Sequence, residues 1–233
     1  MITARLRAAP IRPHCLLCRA PLAAGSRRLL CGGCSEALPK LGPHCQRCGL
    51  PLAQSAPSCG DCQATPPHFQ HCYTPYRYGF PLDYLVTLCK HHRHRGAERL
   101  LGQLLADYGE KLPWPEWDAL VPVPLHWRKL WRRGFNQAQS LAQALHPPQP
   151  LPILRARRTR ATPAQQQLNR RQRLANLRGS FVIDQPVTGL RLLLVDDVVT
   201  TGATANSLAQ TLLKAGASRV DLLALARTPT PSD

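Results

Sequence analysis

The sequence of 233 residues has no run of 18 apolar residues, so no membrane-spanning helix is expected. It is also poor in acid, with 13 Asp and Glu against 30 Lys and Arg and a formal net charge of +17. Such a surplus points away from cationic ligands and towards polyanions: nucleic acid, phosphorylated metabolites or an acidic membrane surface. Between Asp118 and Asp184 there is no acidic residue, while the same span holds twelve Lys or Arg. A solvated helical face would mix the two signs, so this span reads as a surface for a polyanion. The basic first residues, 1–13, are followed by no apolar h-region, so a signal peptide is not expected. The chain is then expected to be cytoplasmic, where thiols are reduced and paired cysteines are more often metal ligands than disulfides.

Residues 1–75 lack a periodic apolar pattern and are rich in proline. A segment of this kind cannot build a useful core and needs another cross-link. What it has is cysteine, nine of the ten in the chain. Eight form pairs with two residues between the partners: Cys15 and Cys18, Cys31 and Cys34, Cys45 and Cys48, Cys59 and Cys62. That spacing lets a tight turn aim both sulfurs at one tetrahedral ion, and closed four-thiolate sites are structural. The short intervening loops favour sequential pairing, with Cys15, Cys18, Cys31 and Cys34 on one zinc and Cys45, Cys48, Cys59 and Cys62 on another; an interleaved arrangement is the alternative. Iron would suit the same thiolates. A redox role is disfavoured because no thioredoxin-like βαβ setting surrounds the pairs. Two such sites lower the net charge to about +13, still strongly basic. Cys72 and Cys89 are unpaired and read as small buried apolar residues.

From residue 76 onward the pattern changes to alternating strand-like and helix-like stretches, which predicts an α/β domain with a mostly parallel sheet. Helices are expected from the apolar stretch 82–89, over 97–108 and over 137–145, the last stopped by Pro147 and Pro148. Residues 203–215 form a further helix closed by Gly216. A short buried strand running into a loop is expected over 118–125, and further strands at 152–154, 180–183, 191–197 and 220–225. Residues 155–178 are basic and polar and read as an exposed loop with some helix.

The richest stretch is 192–204, LLLVDDVVTTGAT. A buried strand delivers Asp196 and Asp197 to the carboxyl edge of the sheet, and a small polar loop then opens a helix. Backbone N–H groups at such a turn converge on an anion, helped by the helix N-terminus. Thr200, Thr201 and Thr204 add hydroxyl donors, and Gly202 permits close backbone approach. Two adjacent acids suit a pair of vicinal hydroxyls, so acids beside amides describe a ribose 5-phosphate site.

This stretch resembles the phosphoribosyl-diphosphate (PRPP) motif of type I phosphoribosyltransferases. The resemblance implies a PRPP site made of Asp196, Asp197, Val198, Thr200, Thr201, Gly202, Ala203 and Thr204, with Mg²⁺ carried on the diphosphate. Residues 121–138 (VPVPLHWRKLWRRGFNQA), 90–96 (KHHRHRG) and 160–181, with Thr162, Pro163, Ala164, Gln165, Arg173, Asn176 and Gly179, resemble the ComF family, as do the N-terminal cysteines. That resemblance implies a double zinc ribbon over 1–75 and a phosphoribosyltransferase-like domain over 76–233. It also implies a pyrophosphate loop after residue 124 and a substrate hood over 155–178. Lys90, Arg93, Arg128, Lys129, Arg132 and Arg133 become candidates for the diphosphate or another polyanion.

Three functions follow from the resemblance. One is DNA uptake or use of external DNA, with single-stranded DNA or a helicase as partner. Another is an active transferase passing the phosphoribosyl group to a nitrogenous acceptor, with Asp196 and Asp197 as the catalytic acids that fix the ribose and favour positive charge at C1. The third is a PRPP-sensing regulator. Twelve cations exceed what PRPP requires, which leaves some for a nucleic-acid backbone. Trp127, Trp131 and Phe135 interleave with them and suit base stacking, although a spacing of four suits helix packing equally. His91, His92 and His94 read as solvated or phosphate-near rather than metal-bound.

Overall fold

The computed structural model describes residues 13–26, 28–159 and 180–229, with the backbone alone at residue 129. The expected hood and Thr162, Pro163, Ala164, Gln165, Arg173, Asn176 and Gly179 therefore lie outside the described residues, apart from 155–159.

The near-regular cysteine spacing conceals a repeat. PHCLLCRAPL at 13–22 and PHCQRCGLPL at 43–52 fold alike. In the first, Cys15 N donates to Ala20 O and Leu22 N to Pro13 O; in the second, Cys45 N donates to Leu50 O and Leu52 N to Pro43 O. The second pair of each knuckle opens a short helix, α1 (Gly32–Glu36) and α2 (Gly60–Ala64). Each knuckle thus joins a tight hairpin to a helical turn, the shape that gathers four sulfurs around one point. The repeat also fixes a backbone requirement, because Arg19 and Gly49 occupy equivalent left-handed positions with φ of 64° and 72°.

After the second knuckle come β1 (Cys72–Tyr73), β2 (Tyr76–Arg77), α3 (Leu82–His92) and α4 (Arg95–Gly109). A 3-10 turn at Trp114–Glu116 leads into β3 (Ala119–Pro122), α5 (Trp127–Arg133) and α6 (Gln137–Ala144). Then follow β4 (Ala156–Arg158), β5 (Phe181–Ile183), β6 (Arg191–Val199), α7 (Ala203–Lys214) and β7 (Arg219–Arg227). The main sheet runs β1-β7-β6-β3, with β2 also on β7, and every pairing in it is parallel. Ile153 extends it by one parallel bridge to Leu120. The division near residue 75 falls between β1 and β2, which share one edge of this sheet.

The two long strands are buried on both faces, which is why they read as continuous apolar runs. Leu193, Val195, Leu223 and Leu225 pack under α3, α4 and α6. Leu192, Leu194, Leu222 and Ala224 pack under α7 with Val121 and Phe69. The first knuckle joins the former side through Cys15, Leu30 and Leu38. The start of the span read as a loop is instead a strand: β4 pairs antiparallel with β5, Arg157 opposite Val182. Its three residues are too few, and too rich in arginine, for an apolar alternation to betray it.

The repeat yields a stability test. A Cβ at Gly49 would stand 3.0 Å from Cys72 Sγ and 3.1 Å from Thr74 Cγ2. Gly49→Ala should destabilise by about 1–3 kcal/mol, combining the left-handed backbone cost with overpacking. Arg19→Gly, at the exposed equivalent, should be neutral or up to about 1 kcal/mol stabilising. Thermal unfolding of the two variants beside the wild type checks both signs.

Candidate functional site

The parallel pairing of β6 with β7 and β3 carries Asp196 and Asp197 to the carboxyl edge of the sheet, where open parallel sheets bind ligands. Each carboxylate is fixed by the amide that follows it: Asp197 N donates to Asp196 Oδ1 at 2.8 Å and Val198 N to Asp197 Oδ1 at 2.7 Å. Strand alternation sends adjacent side chains to opposite faces. Asp196 accordingly lines a small cleft with Val198, Val199, Thr200, Gly202, Ala203 and Thr204. Asp197 turns the other way and meets Lys90 of α3, Nζ to Oδ2 at 2.5 Å.

The loop turns into α7 at Gly202, whose φ of 72° is left-handed. Glycine is required there by backbone conformation, not by space, because a Cβ would meet only ordinary contacts at 3.8 Å and beyond. Thr201 Oγ1 accepts from Ala203 N at 3.4 Å, and Gly202 O accepts from Asn206 N at 2.8 Å. Thr200 stays exposed.

On the far side of the Lys90–Asp197 pair lies a wider cleft of about 250 Å³, lined by Lys90, His91, Arg93, Arg132 and Arg133. Arg93 ends α3 in a left-handed conformation, and its Nη2 donates to Arg132 O at 2.7 Å, tying α3 to α5. Arg133 Nη1 donates to Gln137 Oε1 at 3.2 Å. Four of the six expected polyanion residues therefore line one cleft. Arg128 does not join them, since its guanidinium stacks 5.2 Å from the Trp127 ring. The Lys129 side chain lies outside the described residues.

The aromatic trio also divides. Trp127 and Trp131 are 61% and 85% exposed, whereas Phe135 packs on the core. Among the histidines, His91 lines the cleft and His92 is exposed. His94 caps α4, its Nδ1 accepting from Ala97 N at 3.1 Å. His126 caps α5 in the same way, accepting from Arg128 N. Histidine is not a favoured cap residue, so neither role was readable from sequence. Arg227, which ends β7 and reaches the carbonyls of Val199 and Thr200, was missed as well; an arginine closing an apolar strand was its only signal.

The cysteines gather as the sequential pairing requires. The sulfurs of Cys15, Cys18, Cys31 and Cys34 lie within 4.8 Å of one another, and so do those of Cys45, Cys48, Cys59 and Cys62. Cys18 to Cys31 is 3.6 Å and Cys48 to Cys59 is 3.8 Å. A tetrahedron with metal–sulfur distances of about 2.3 Å has edges of about 3.8 Å, so the donor sets fit Zn²⁺. Burial raises the Cys15 thiol, but amides of Cys18, Cys31 and Leu17 outweigh it and hold the group near 6. Cys34 is pushed up to about 12, by burial first and then by its neighbouring thiols. One thiolate thus opposes the next unless a cation draws all four.

Burial, and then the charge of Asp197, push the Asp196 carboxyl from 3.8 up to about 8. A raised native value means that the folded chain binds more protons than the unfolded one between those limits. Asp196 therefore costs stability progressively as pH climbs through that window, and the cost is complete above it. Asp196→Asn should gain on the wild type as pH rises from about 6 to about 8. Urea midpoints of both proteins across that range measure it.

A double zinc ribbon domain model matches residues 10–63, and a phosphoribosyl transferase domain model matches residues 91–232. DNA utilization protein YhgH of Escherichia coli (strain K12) is 39% identical over 232 residues, covering 92% of this chain and 96% of that protein. Competence protein F of Haemophilus influenzae is 34% identical over 225 residues, with the same coverage. Competence protein ComFC of Bacillus subtilis is 27% identical over 200 residues, covering 80% of this chain and 79% of that protein. Two four-cysteine knuckles on a parallel sheet that ends in an acid pair and a threonine-glycine turn, together with these relatives, establish that the chain belongs to the ComF family, whose members join a double zinc ribbon to a phosphoribosyltransferase domain.

Proposed function

We propose that this chain acts in DNA uptake or the use of external DNA, as the names of its relatives suggest, and that it holds PRPP with Mg²⁺ at the end of β6. In this reading residues 1–75 form the zinc module and 76–233 the PRPP-binding domain, and the protein works in the cytoplasm. No helix among the described residues is long and apolar enough to cross a membrane. The observation that carries the reading is the division of the site by the Lys90–Asp197 pair. On one side Asp196 and the 198–204 turn offer acceptors for ribose hydroxyls and donors for a 5′-phosphate. On the other, Lys90, His91, Arg93, Arg132 and Arg133 offer charge for a diphosphate. A ribose bearing phosphate groups at both ends has that distribution of charge.

Single-stranded DNA is the second ligand in this proposal. The α5 surface supports it, because Trp127 and Trp131 stand exposed beside Arg128 and Arg132. Bases stack on such rings whatever their sequence, and cations track the backbone. A helicase is the protein partner that would share this strand. An active transferase is the second reading, favoured by the same division of charge. Asp196 and Asp197 would favour positive charge at C1 while the cations steady the departing diphosphate. Mg²⁺, when bound with PRPP, would neutralise part of that diphosphate.

Two measurements test these ligands. Calorimetry with PRPP and Mg²⁺ should show binding by the wild type. The Asp196→Asn, Asp197→Asn double variant should lose binding while keeping its zinc, and a wild type without binding overturns the PRPP reading. Single-stranded DNA affinity should fall steeply with salt, the logarithmic slope easing by about 0.7 for each cation removed from Arg128 and Arg132. Trp131→Ala should weaken binding by about 1–3 kcal/mol and leave the slope unchanged. A flat salt response counts against DNA.

A further inference from the structure

Arg227 joins two parts of the molecule that the proposed function treats as separate. It is the last residue of β7, opposite Val199 in register, and only 7% exposed. Its Nε donates to Cys48 O at 3.0 Å, inside the second cysteine knuckle. Its Nη1 donates to Val199 O at 3.3 Å and to the carbonyls of Thr200 and Thr228. One planar guanidinium thus spans from a metal-ligating residue to the two residues that open the phosphate loop. Lysine's compact ammonium lacks the width of that planar fork, so it does not span the same acceptors in the same geometry.

The surroundings reinforce the link. Gly49, beside Cys48, sits so close to Cys72 and Thr74 that a Cβ would crowd both, and it would stand in ordinary contact with the Arg227 chain at 3.7 Å. Cys72 N donates to Gln46 O at 3.0 Å, so the knuckle backbone continues into the sheet edge. The segment that leaves the knuckle returns under the loop: Phe69 is buried close to Gly202, and His68 N donates to Asn206 Oδ1 at 2.6 Å in the first turns of α7. The first knuckle is seated differently, on the side of α3 and α4.

Charge gives the arrangement its direction. Carbonyl oxygens satisfy the donors of a buried guanidinium but do not balance its charge, and a buried charge without a counter-charge is costly. Four thiolates around Zn²⁺ carry a net charge of about −2. A loaded second knuckle supplies the balance beside Cys48; a knuckle of four neutral thiols does not.

We infer that Arg227 is a positioning residue through which the second knuckle holds the phosphate loop in shape, so that the loop is ordered only while that knuckle is loaded. The inference rests on the PRPP reading for its meaning, but its test does not. Zinc content and amide hydrogen exchange are measured on the full-length wild type, Cys31→Ser, Cys59→Ser and Arg227→Met. The amides of 198–206 and Thr228 are the readout, and those of 192–195 inside β6 are the fold reference. Cys59→Ser, which loses the second zinc, and Arg227→Met, which keeps both, should exchange at least tenfold faster at the readout amides with β6 still protected. Cys31→Ser, which loses the first zinc, should match the wild type. Wild-type rates in Arg227→Met, or equal loosening by Cys31→Ser and Cys59→Ser, overturn the inference. If either β6 reference is lost, Arg227→Lys decides: faster exchange at the loop supports the inference and wild-type exchange overturns it. PRPP affinity should fall about tenfold in Arg227→Met. A wild type that binds no PRPP sinks the ligand reading and leaves the exchange rates to judge Arg227 alone.

Discussion

The pairing of β6 with β7, held in one register from Arg191 opposite Arg219 to Val199 opposite Arg227, fixes everything else in the site. Both strands are covered on both faces, so each leucine that keeps the register also anchors a helix or the other core. Such pairs are strongly specified, because a shift would move whole rows of apolar side chains into the wrong layer. The acid pair, the threonine turn and Arg227 all sit at the far end of this ladder. They need no framework of their own, and loops so anchored can be rich in polar groups without losing their geometry.

The electrostatics follow from placing two like carboxylates on opposite sides of one strand end, only one of them beside a cation. Asp197 finds Lys90 and is held as an ion pair. Asp196 has no cation so close among the described residues, is partly desolvated in its cleft, and feels its neighbour's charge, which makes its proton hard to remove. The cations of α3 and α5 meanwhile face one another across a cleft, with Arg93 donating to the carbonyl of Arg132. Like charges gathered in this way are a standing cost, which an anion bound between them would relieve.

Sequence made most of this legible where the signal was local. The buried strands, the helix after Gly202 and the four cysteine pairs each carry their pattern within a dozen residues, and the structure places them as expected. Legibility ended where contacts are remote or a residue type is atypical. Nothing local says that Arg227 reaches Cys48, or that His68 meets Asn206. β4 was too short to show alternation, and the caps at His94 and His126 use a residue rarely chosen for that work. The repeat of the knuckles was present in the letters, but the eye follows cysteines, and its proof lay in the matching turns around them.

The opposite facings of Asp196 and Asp197 have a consequence for fidelity. Because neighbouring residues of a strand look into different layers, the two acids are not interchangeable copies; each is defined by which core lies beneath it. A single-residue slip of β6 would exchange the faces they look onto, turning the carboxyl now beside Lys90 towards the α7 side and the other towards the cations. The doublet of identical letters thus works as an ordered pair, read correctly only when the leucines before it are in step.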